Sequence, residues 1–469
     1  MTKKLPTNLR GLKSNNYQLL PVREELRKNL ITKLQNGEEI FPGIVGYENT
    51  VIPQLQNAIL SGQDIILLGE RGQAKSRIIR SLTTLFDEWT PILAHCEIPE
   101  NPFSPISPQG HEIIAEEGDR AEINWMHRDE RYGEKLATPD ITIADLIGEV
   151  DPIKVAEGRY LSDSLTLHYG LIPHTNRGIF AINELPDLAE RIQVGLLNAM
   201  EERDVQIRGH KVRLPLDVLI VATANPEDYT NRGRIITPLK DRYGSQIRTH
   251  YPQNIDHEIS IMEQEGQIFS TEDFNIEIPD YMKRVIAEIT RLARKSPDVN
   301  QRSGVSVRAS VANYEAILAN SLRRSIRLKE KNVAPRISDL PFVVPSLQGK
   351  VELETVEDGK DQQIIERLIL GAVVSIFNEI FEEDELEGII ESFNSGLSVQ
   401  TGESESIGSY TEIIKKVNDL EDSVHRLVGE QSSEAVKASA TEFILEGLHL
   451  NKRLNKETLS SLGDSIYKA

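Results

Sequence analysis

The 469-residue sequence predicts an α/β core, a parallel sheet with helices on both faces, followed by a helical domain and an additional, mainly helical C-terminal region. Three observations predict it. Continuous apolar runs at Ile65–Leu68, 178–182 and 218–222 each close on Gly, Asn or Thr and give way to helix-like or turn sequence, the alternation that a parallel sheet buried on both faces requires. Beyond residue 256 the period changes: apolar residues over 281–294 and 310–328 recur at three- and four-residue spacing, as a helix face needs. Charge then steps. The chain carries 53 Lys and Arg against 73 Asp and Glu, a net charge of −20, and residues 351–469 alone hold 25 acids and 10 bases.

In chain order, residues 1–38 form an N-terminal helical segment, with a helix over 24–34 that Phe41-Pro42-Gly43 closes off. The α/β domain occupies 39–255. Its stretch 97–169 begins rich in Pro, Gly and charge and is too long for a plain connection, so loops with short elements and a functional insertion are expected there. A helical domain follows over 256–349. The Pro-marked stretch 335–345, the polar joint 351–360 and the charge step place a boundary near residue 350. The acidic domain 350–469 is then expected to hold an amphipathic helix over 362–381, a solvated turn over 382–387 and a Gly/Ser-rich loop over 395–409.

Composition excludes several functions. The acidic balance argues against a general nucleic-acid binder, whose footprint is basic. Cys96 is the one cysteine, so an intrachain disulfide and any multi-cysteine metal site are ruled out. No apolar run approaches the 18 residues of a membrane span, and no apolar segment follows the basic start, so a cytoplasmic location is expected. None of the ten histidines falls in H-E-x-x-H or Cys/His zinc spacing. The basic stretch Arg323-Arg324-Ser325-Ile326-Arg327, with Lys329 and Lys331, reads as a solvated helix face.

One segment carries chemistry outright. The strand at 65–68 runs into Gly69-Glu70-Arg71-Gly72-Gln73-Ala74-Lys75-Ser76 and then a helix, which fits G-x-x-x-x-G-K-[ST] except that Ala74 stands for the last glycine. In such a loop backbone N–H groups and the following helix N-terminus face a phosphate. Lys75 is expected to reach the β- and γ-phosphates and the Ser76 hydroxyl to bind Mg²⁺. Ala74 is expected in right-handed helical geometry, since only a positive φ excludes it.

A second strand, 178–182, ends in Asn183-Glu184, where nucleotide hydrolases place Asp for the Mg²⁺ hydration shell and Glu for the attacking water. Asn183 accepts from a metal-bound water but brings no negative charge, so weaker Mg²⁺ binding is expected. Glu184 is placed for the proton and water chemistry. The strand at 218–222 delivers Thr223-Ala224-Asn225-Pro226, whose Asn225 is positioned to hold the water; it also fits a plain turn start.

These ordered motifs resemble the AAA+ ATPases, and among them the group of MoxR and magnesium chelatase subunit I, over about residues 39–345. Gly43-Ile44-Val45-Gly46-Tyr47 is similar to the group's adenine-side segment, and the A-K-S ending of the loop is similar to MoxR proteins. Residues 142–151 and the segment from Met200 to Leu214, with Gly209 at its tip, resemble the chelatase insertions. Leu239-Lys240-Asp241-Arg242-Tyr243 matches the family's L-x-D-R-F, which implies that Arg242 is an arginine finger acting on the neighbouring subunit's ATP. Val307-Arg308-Ala309 matches the second sensor, which implies that Arg308 contacts the γ-phosphate within its own chain. The resemblance further implies Mg-ATP as ligand, a homo-oligomeric ring, by analogy a hexamer, and a partner with a von Willebrand factor A domain.

Three other readings compete for the same motifs. A chelatase subunit proper fits poorly with the A-K-S loop, Asn183 and the acidic tail. An enhancer-binding transcription activator lacks support, since the chain has no G-A-F-T-G-A loop. A nucleotide-gated scaffold with little hydrolysis remains open because of Asn183.

Overall fold

The computed structural model describes residues 5–150, 167–201, 204–206, 213–225, 233–267, 273–301, 303–354, 360–459 and 463–469. The chain divides into two compact units, Met1–His250 and Tyr251–Ala469. After a short helical turn at Leu9–Ser14, the first holds helices α1 (Val22–Asn36) and α2 (Val51–Ser61). Strand β1 (Ile65–Leu68) and helix α3 (Lys75–Ser81) follow, then β2 (Trp89–Leu93), β3 (Ile123–His127) and β4 (Tyr132–Leu136). Strand β5 (Gly178–Asn183), helix α4 (Glu190–Glu201), strand β6 (Val218–Ala224), helix α5 (Thr237–Arg242) and strand β7 (Ser245–Arg248) complete it.

Five of these strands form one sheet in the order β7-β1-β6-β5-β4, every pairing parallel. Alternate residues along each central strand feed opposite cores, as the two-residue strand period dictates. Ile65, Leu67, Ile179, Ala181, Leu219 and Val221 pack with α1, α2 and α3. Ile66, Phe180, Ile182, Ile220 and Ala222 pack with α4 and α5 on the other face. The expected sheet buried on both faces is therefore present.

Its two edge strands were not anticipated. β4 reads Y-G-E-K-L and β7 reads S-Q-I-R, and both are largely half-exposed. A strand with one neighbour and a wet side needs no continuous apolar run, so nothing in its sequence announces it. β4 lies within the stretch expected to be loops. The remainder of that stretch does hold short elements, including β3, which pairs antiparallel with β2 ahead of the stretch, and a Thr142/Asp145 capping box.

A buried ion pair anchors α1. Glu25, 3% exposed, receives both terminal guanidinium nitrogens of Arg131 at 2.6 and 2.7 Å and the Asp87 backbone N–H at 2.9 Å. The Arg131 guanidinium also lies 3.7 Å from the centre of the Phe86 ring. Complete pairing is the condition on which two charges tolerate such a place.

In the second unit, α6 (Ile255–Glu265), α7 (Asp280–Ala293) and α8 (Arg308–Leu328) precede the long helix α9 (Lys360–Ile380). Helix α10 (Glu387–Asn394), strand β8 (Val399–Thr401), helices α11 (Ile407–Lys416), α12 (Leu420–Val428) and α13 (Glu434–Leu450), and strands β9 (Asn455–Thr458) and β10 (Ser465–Lys468) follow. The three strands make an antiparallel sheet ordered β8-β10-β9 within the mainly helical region expected, and β8 lies in the expected loop.

One hydrophobic core runs through this unit from Met262 to Tyr467. The charge step near residue 350 falls inside it, not at a break. Tyr281 of α7 stacks on Phe443 of α13 at 4.5 Å, and its hydroxyl meets the Ser439 hydroxyl at 2.5 Å. The expected solvated basic face holds for the exposed Arg323, Arg327, Lys329 and Lys331 and is corrected at Arg324. Arg324 is 1% exposed and bonded to Asp339 at 3.0 Å, while Arg323 donates to the fully buried Glu403. Buried Glu442 accepts from the Ser338 N–H at 2.9 Å and from the Tyr410 hydroxyl, and buried Glu446 from Lys456 at 2.7 Å and the Tyr467 hydroxyl. Burial lifts both phenols well above their ordinary range, so they stay protonated donors. Part of the tail's acidity thus serves pairing within its own unit. No described helix is long and apolar enough to cross a membrane.

Candidate functional site

The site lies at the carboxyl ends of β1, β6 and β5. Strand order breaks at β1, which lies between the two last strands of the sheet, β6 and β7, and open parallel sheets bind ligands outside the carboxyl ends at such a point. Register aligns Leu68 with Ala224 and Ala222 with Ile182, so the loop 69–76, Asn225 and the Asn183-Glu184 pair leave the sheet side by side.

The loop is held by its own side chains. Gln73, 6% exposed, accepts at Oε1 from the Glu70 N–H at 3.1 Å and from the Thr249 hydroxyl at 2.6 Å. A Cβ on Gly69 would fall 1.9 Å from Thr249 Oγ1 and 2.2 Å from Gln73 Oε1, so only glycine fits. Gly72 has φ +74°. Arg71 projects to the surface.

Ala74 overturns the expectation made for it. Its φ of 54° and ψ of 16° are left-handed, the geometry the motif's usual glycine supplies. The Cβ–carbonyl crowding that follows costs an L-residue roughly 1–2 kcal/mol. Glu184 is left-handed as well, at φ 55°. Two non-glycine residues in this region within one site is the pattern of strain held by surrounding structure.

Lys75 unites the loop with β6. Its ammonium donates to the Gly69 carbonyl, to the Glu70 carbonyl at 2.7 Å and to Asn225 Oδ1 at 2.8 Å. Asn225 is 7% exposed, so the structure brings this sequence-selected residue directly to the lysine. Ser76 sits exposed in the first turn of α3. The adenine-side segment is tied in through Tyr47, whose hydroxyl lies 3.0 Å from the Gln73 carbonyl and 2.7 Å from that of His250. Burial pushes this phenol up to about 12, which keeps it a donor. Ile44 is buried and Val45 half-buried, and Gly46 turns at φ +83° with its N–H on Glu48 at 2.9 Å.

At the end of β5, the Asn183 amide nitrogen donates to Glu134 Oε1. The Thr223 hydroxyl accepts from the Glu184 N–H at 3.0 Å and lies 3.4 Å from Asn183 Oδ1. Thr223, Thr249, Tyr47 and Glu134 were not selected as site residues. The first three carry no spacing signal, and Glu134 sits on the unrecognised edge strand.

Arg242 ends α5 and meets Asp241 at 3.3 Å. Arg308 is the exposed first residue of α8 and belongs to the second unit. The expected insertion between Met200 and Leu214 is described at 204–206 and 213–215, which pair antiparallel; Gly209, Pro226 and Asp151 lie outside the described residues.

The residues present fit a magnesium nucleotide. A cavity of about 560 Å³ opens on the β7 side of the loop, lined by Gly69, Glu70, Gln73, Lys240, Arg248 and Thr249 among others, while Lys75, Ser76, Asn183, Glu184 and Asn225 are not among its lining residues. Ser76 and Asn183 offer hard oxygen donors, and no described cluster of three His, Cys, Asp or Glu could hold a metal alone. Mg²⁺ suits this, because it binds through one or two protein oxygens, waters and substrate phosphates.

Comparison with known proteins agrees. Residues 156–239 match the sigma-54 interaction domain family. The chain is 23% identical over 367 residues to magnesium-chelatase subunit ChlI of Nostoc sp. (strain PCC 7120), covering 73% of this chain and 91% of that one. It is 27% identical over 257 residues to the uncharacterized protein YeaC of Bacillus subtilis (strain 168), covering 50% and 74%. Among solved structures, a complex between subunits BchI and BchD of magnesium chelatase aligns at 16% identity and TM-score 0.36, over 70% of this chain and 98% of that one. Fold, loop and sequence relatives define the chain as an AAA+ protein. Within that class its sequence relatives include several magnesium-chelatase ChlI subunits, to which it is similar at 22–27% identity.

Proposed function

We propose that this chain binds Mg-ATP at the loop 69–76 and hydrolyses it, coupling turnover to remodelling or activation of a partner protein. The observation that carries the reading is the convergence of Lys75 and Asn225 at 2.8 Å, with Asn183-Glu184 leaving the next strand. Lys75 exchanges its loop carbonyls for the β- and γ-phosphate oxygens. Ser76 holds the metal through its hydroxyl, and Asn183 accepts from a water of its shell. Bound Mg²⁺ supplies charge neutralisation between the phosphates. Glu184 orients the attacking water and takes its proton, and Asn225 fixes that water against the γ-phosphate. Arg242 acts in trans and Arg308 in cis, which makes a cytoplasmic homo-oligomeric ring, by family analogy a hexamer, the working form; a von Willebrand factor A domain protein is the partner expected.

Steady-state phosphate release tests this. Wild type turns over, and Lys75→Ala and Glu184→Gln abolish turnover; activity that persists in Glu184→Gln would sink the catalytic assignment. Mixing Arg242→Ala with Glu184→Gln subunits restores part of the activity at hybrid interfaces. A second reading, a nucleotide-gated scaffold, is favoured by one observation, the neutral Asn183 whose amide is already engaged by Glu134. Assembly with ATP and no phosphate release selects it.

A further inference from the structure

We propose that Glu134 on β4 supplies the carboxylate charge that Asn183 lacks, so that Glu134 and Asn183 act as one metal-positioning pair, with Arg80 holding the carboxylate while no metal is bound. This rests on the Mg-nucleotide reading above. Its basis is a chain of three groups from three elements. Glu134 Oε1 accepts from the Asn183 amide nitrogen, and Glu134 Oε2 accepts from Arg80 Nε at 3.0 Å and Nη2 at 2.8 Å. Arg80 stands four residues after Ser76 on α3, so the helix places both on one face. Glu134 is paired with Ala181 in the β4–β5 register, two residues before Asn183, which puts a carboxylate beside the position where a strand-end acid is absent.

Chemistry orders the pair. A carboxylate only accepts, so it turns the nitrogen of the amide toward itself and leaves Asn183 Oδ1 to face Thr223 and the site. The amide then offers an oxygen to a metal-bound water while Glu134, one side chain back, carries the negative charge. Outer carboxylates that orient a ligand and raise its basicity are a general feature of metal sites. The Arg80 side chain is 65% exposed against 21% for Glu134. An exposed guanidinium is a weakly held counter-ion. A dication arriving at Ser76 and the phosphates competes for the same carboxylate field.

The arrangement makes an unusual demand. Restoring the family's acid with Asn183→Asp removes the amide donor and sets two carboxylates face to face, so it brings no gain unless Glu134 is neutralised as well. The test uses the full-length chain with ADP and Mn²⁺ as the probe, free Mn²⁺ being read by electron paramagnetic resonance. Glu134→Gln is expected to weaken Mn²⁺ binding on the order of tenfold, the scale of outer-shell losses. The swapped pair, Glu134→Gln with Asn183→Asp, is expected to recover wild-type affinity, Asn183→Asp alone to fall short of it, and Arg80→Ala to bind more tightly. Recovery in the swap shows that the doubly substituted chain is folded, and a thermal melt of each single variant checks its own fold. Unchanged Mn²⁺ affinity in Glu134→Gln, or equal affinity in Asn183→Asp and the swap, overturns the inference while ADP binding by wild type leaves the nucleotide reading intact. A wild type that does not bind ADP overturns both.

Discussion

Truncation after residue 350 should unfold the second unit, although the charge step suggests a severable module there. Helix α9 alone places Ile364, Ile365, Leu368, Ile369, Val373, Ile376 and Phe377 in the shared core. At the low end of side-chain burial, about 1.5 kcal/mol each, these seven contribute on the order of 10 kcal/mol. That matches the whole stability of an ordinary domain, roughly 5–15 kcal/mol. Removing α13 strips Phe443 from Tyr281, and removing 403–405 leaves Arg323 without Glu403 and the buried Arg336 without the Glu405 carbonyl, now 2.7 Å away. Calorimetry and limited proteolysis of residues 1–350 beside the full chain provide the assay. Rapid cleavage within 251–350 is expected, with unit 1 surviving. A protease-resistant 251–350 that keeps a cooperative transition would refute this reasoning.

The left-handed Ala74 yields a second expectation. Ala74→Gly relieves roughly 1–2 kcal/mol of strain and gives back roughly 0.4–1 kcal/mol through the freer unfolded chain, so a net gain near 1 kcal/mol is expected. A rise in melting temperature of about 2–4 °C for the first unit would register it, and a fall would show that the strain is absent. Glu25→Ala leaves the Arg131 charge buried and unpaired and should cost about 3–5 kcal/mol, measured by denaturant unfolding. At Cys96, burial first and the Glu100 carboxylate second push the thiol up to about 12. Labelling of the native chain with a disulfide reagent at pH 8 should therefore be far slower than in denaturant and should accelerate as pH rises, because the thiolate is the nucleophile.

The central strands were legible because burial on both faces leaves no choice of residue: Ile65, Ile66 and Leu67 are apolar without alternation, and so are 178–182. The loop was legible for a different reason, since phosphate recognition by backbone groups requires a fixed spacing of Gly, Lys and Ser. The edge strands were not, because their polar residues satisfy a half-wet position that many loops share. With β4 went Glu134, a carboxylate whose neighbour in space is 49 positions away. Within the basic run at 323–327, Arg323 and Arg327 are exposed as expected and Arg324 is not, because charge pattern alone does not reveal whether it faces water or Asp339.

The sequence by itself thus determined the fold class and the loop motif at 69–76, and it singled out Lys75, Glu184 and Asn225 as candidates, all of which depend on local pattern or on spacing within one segment. Only the tertiary structure decided the backbone state of Ala74, the joining of the acidic tail to the helices before it and the partner of Asn183. Each of these depends on which distant residues share a low-dielectric or sterically closed space, and chain order does not encode that distance.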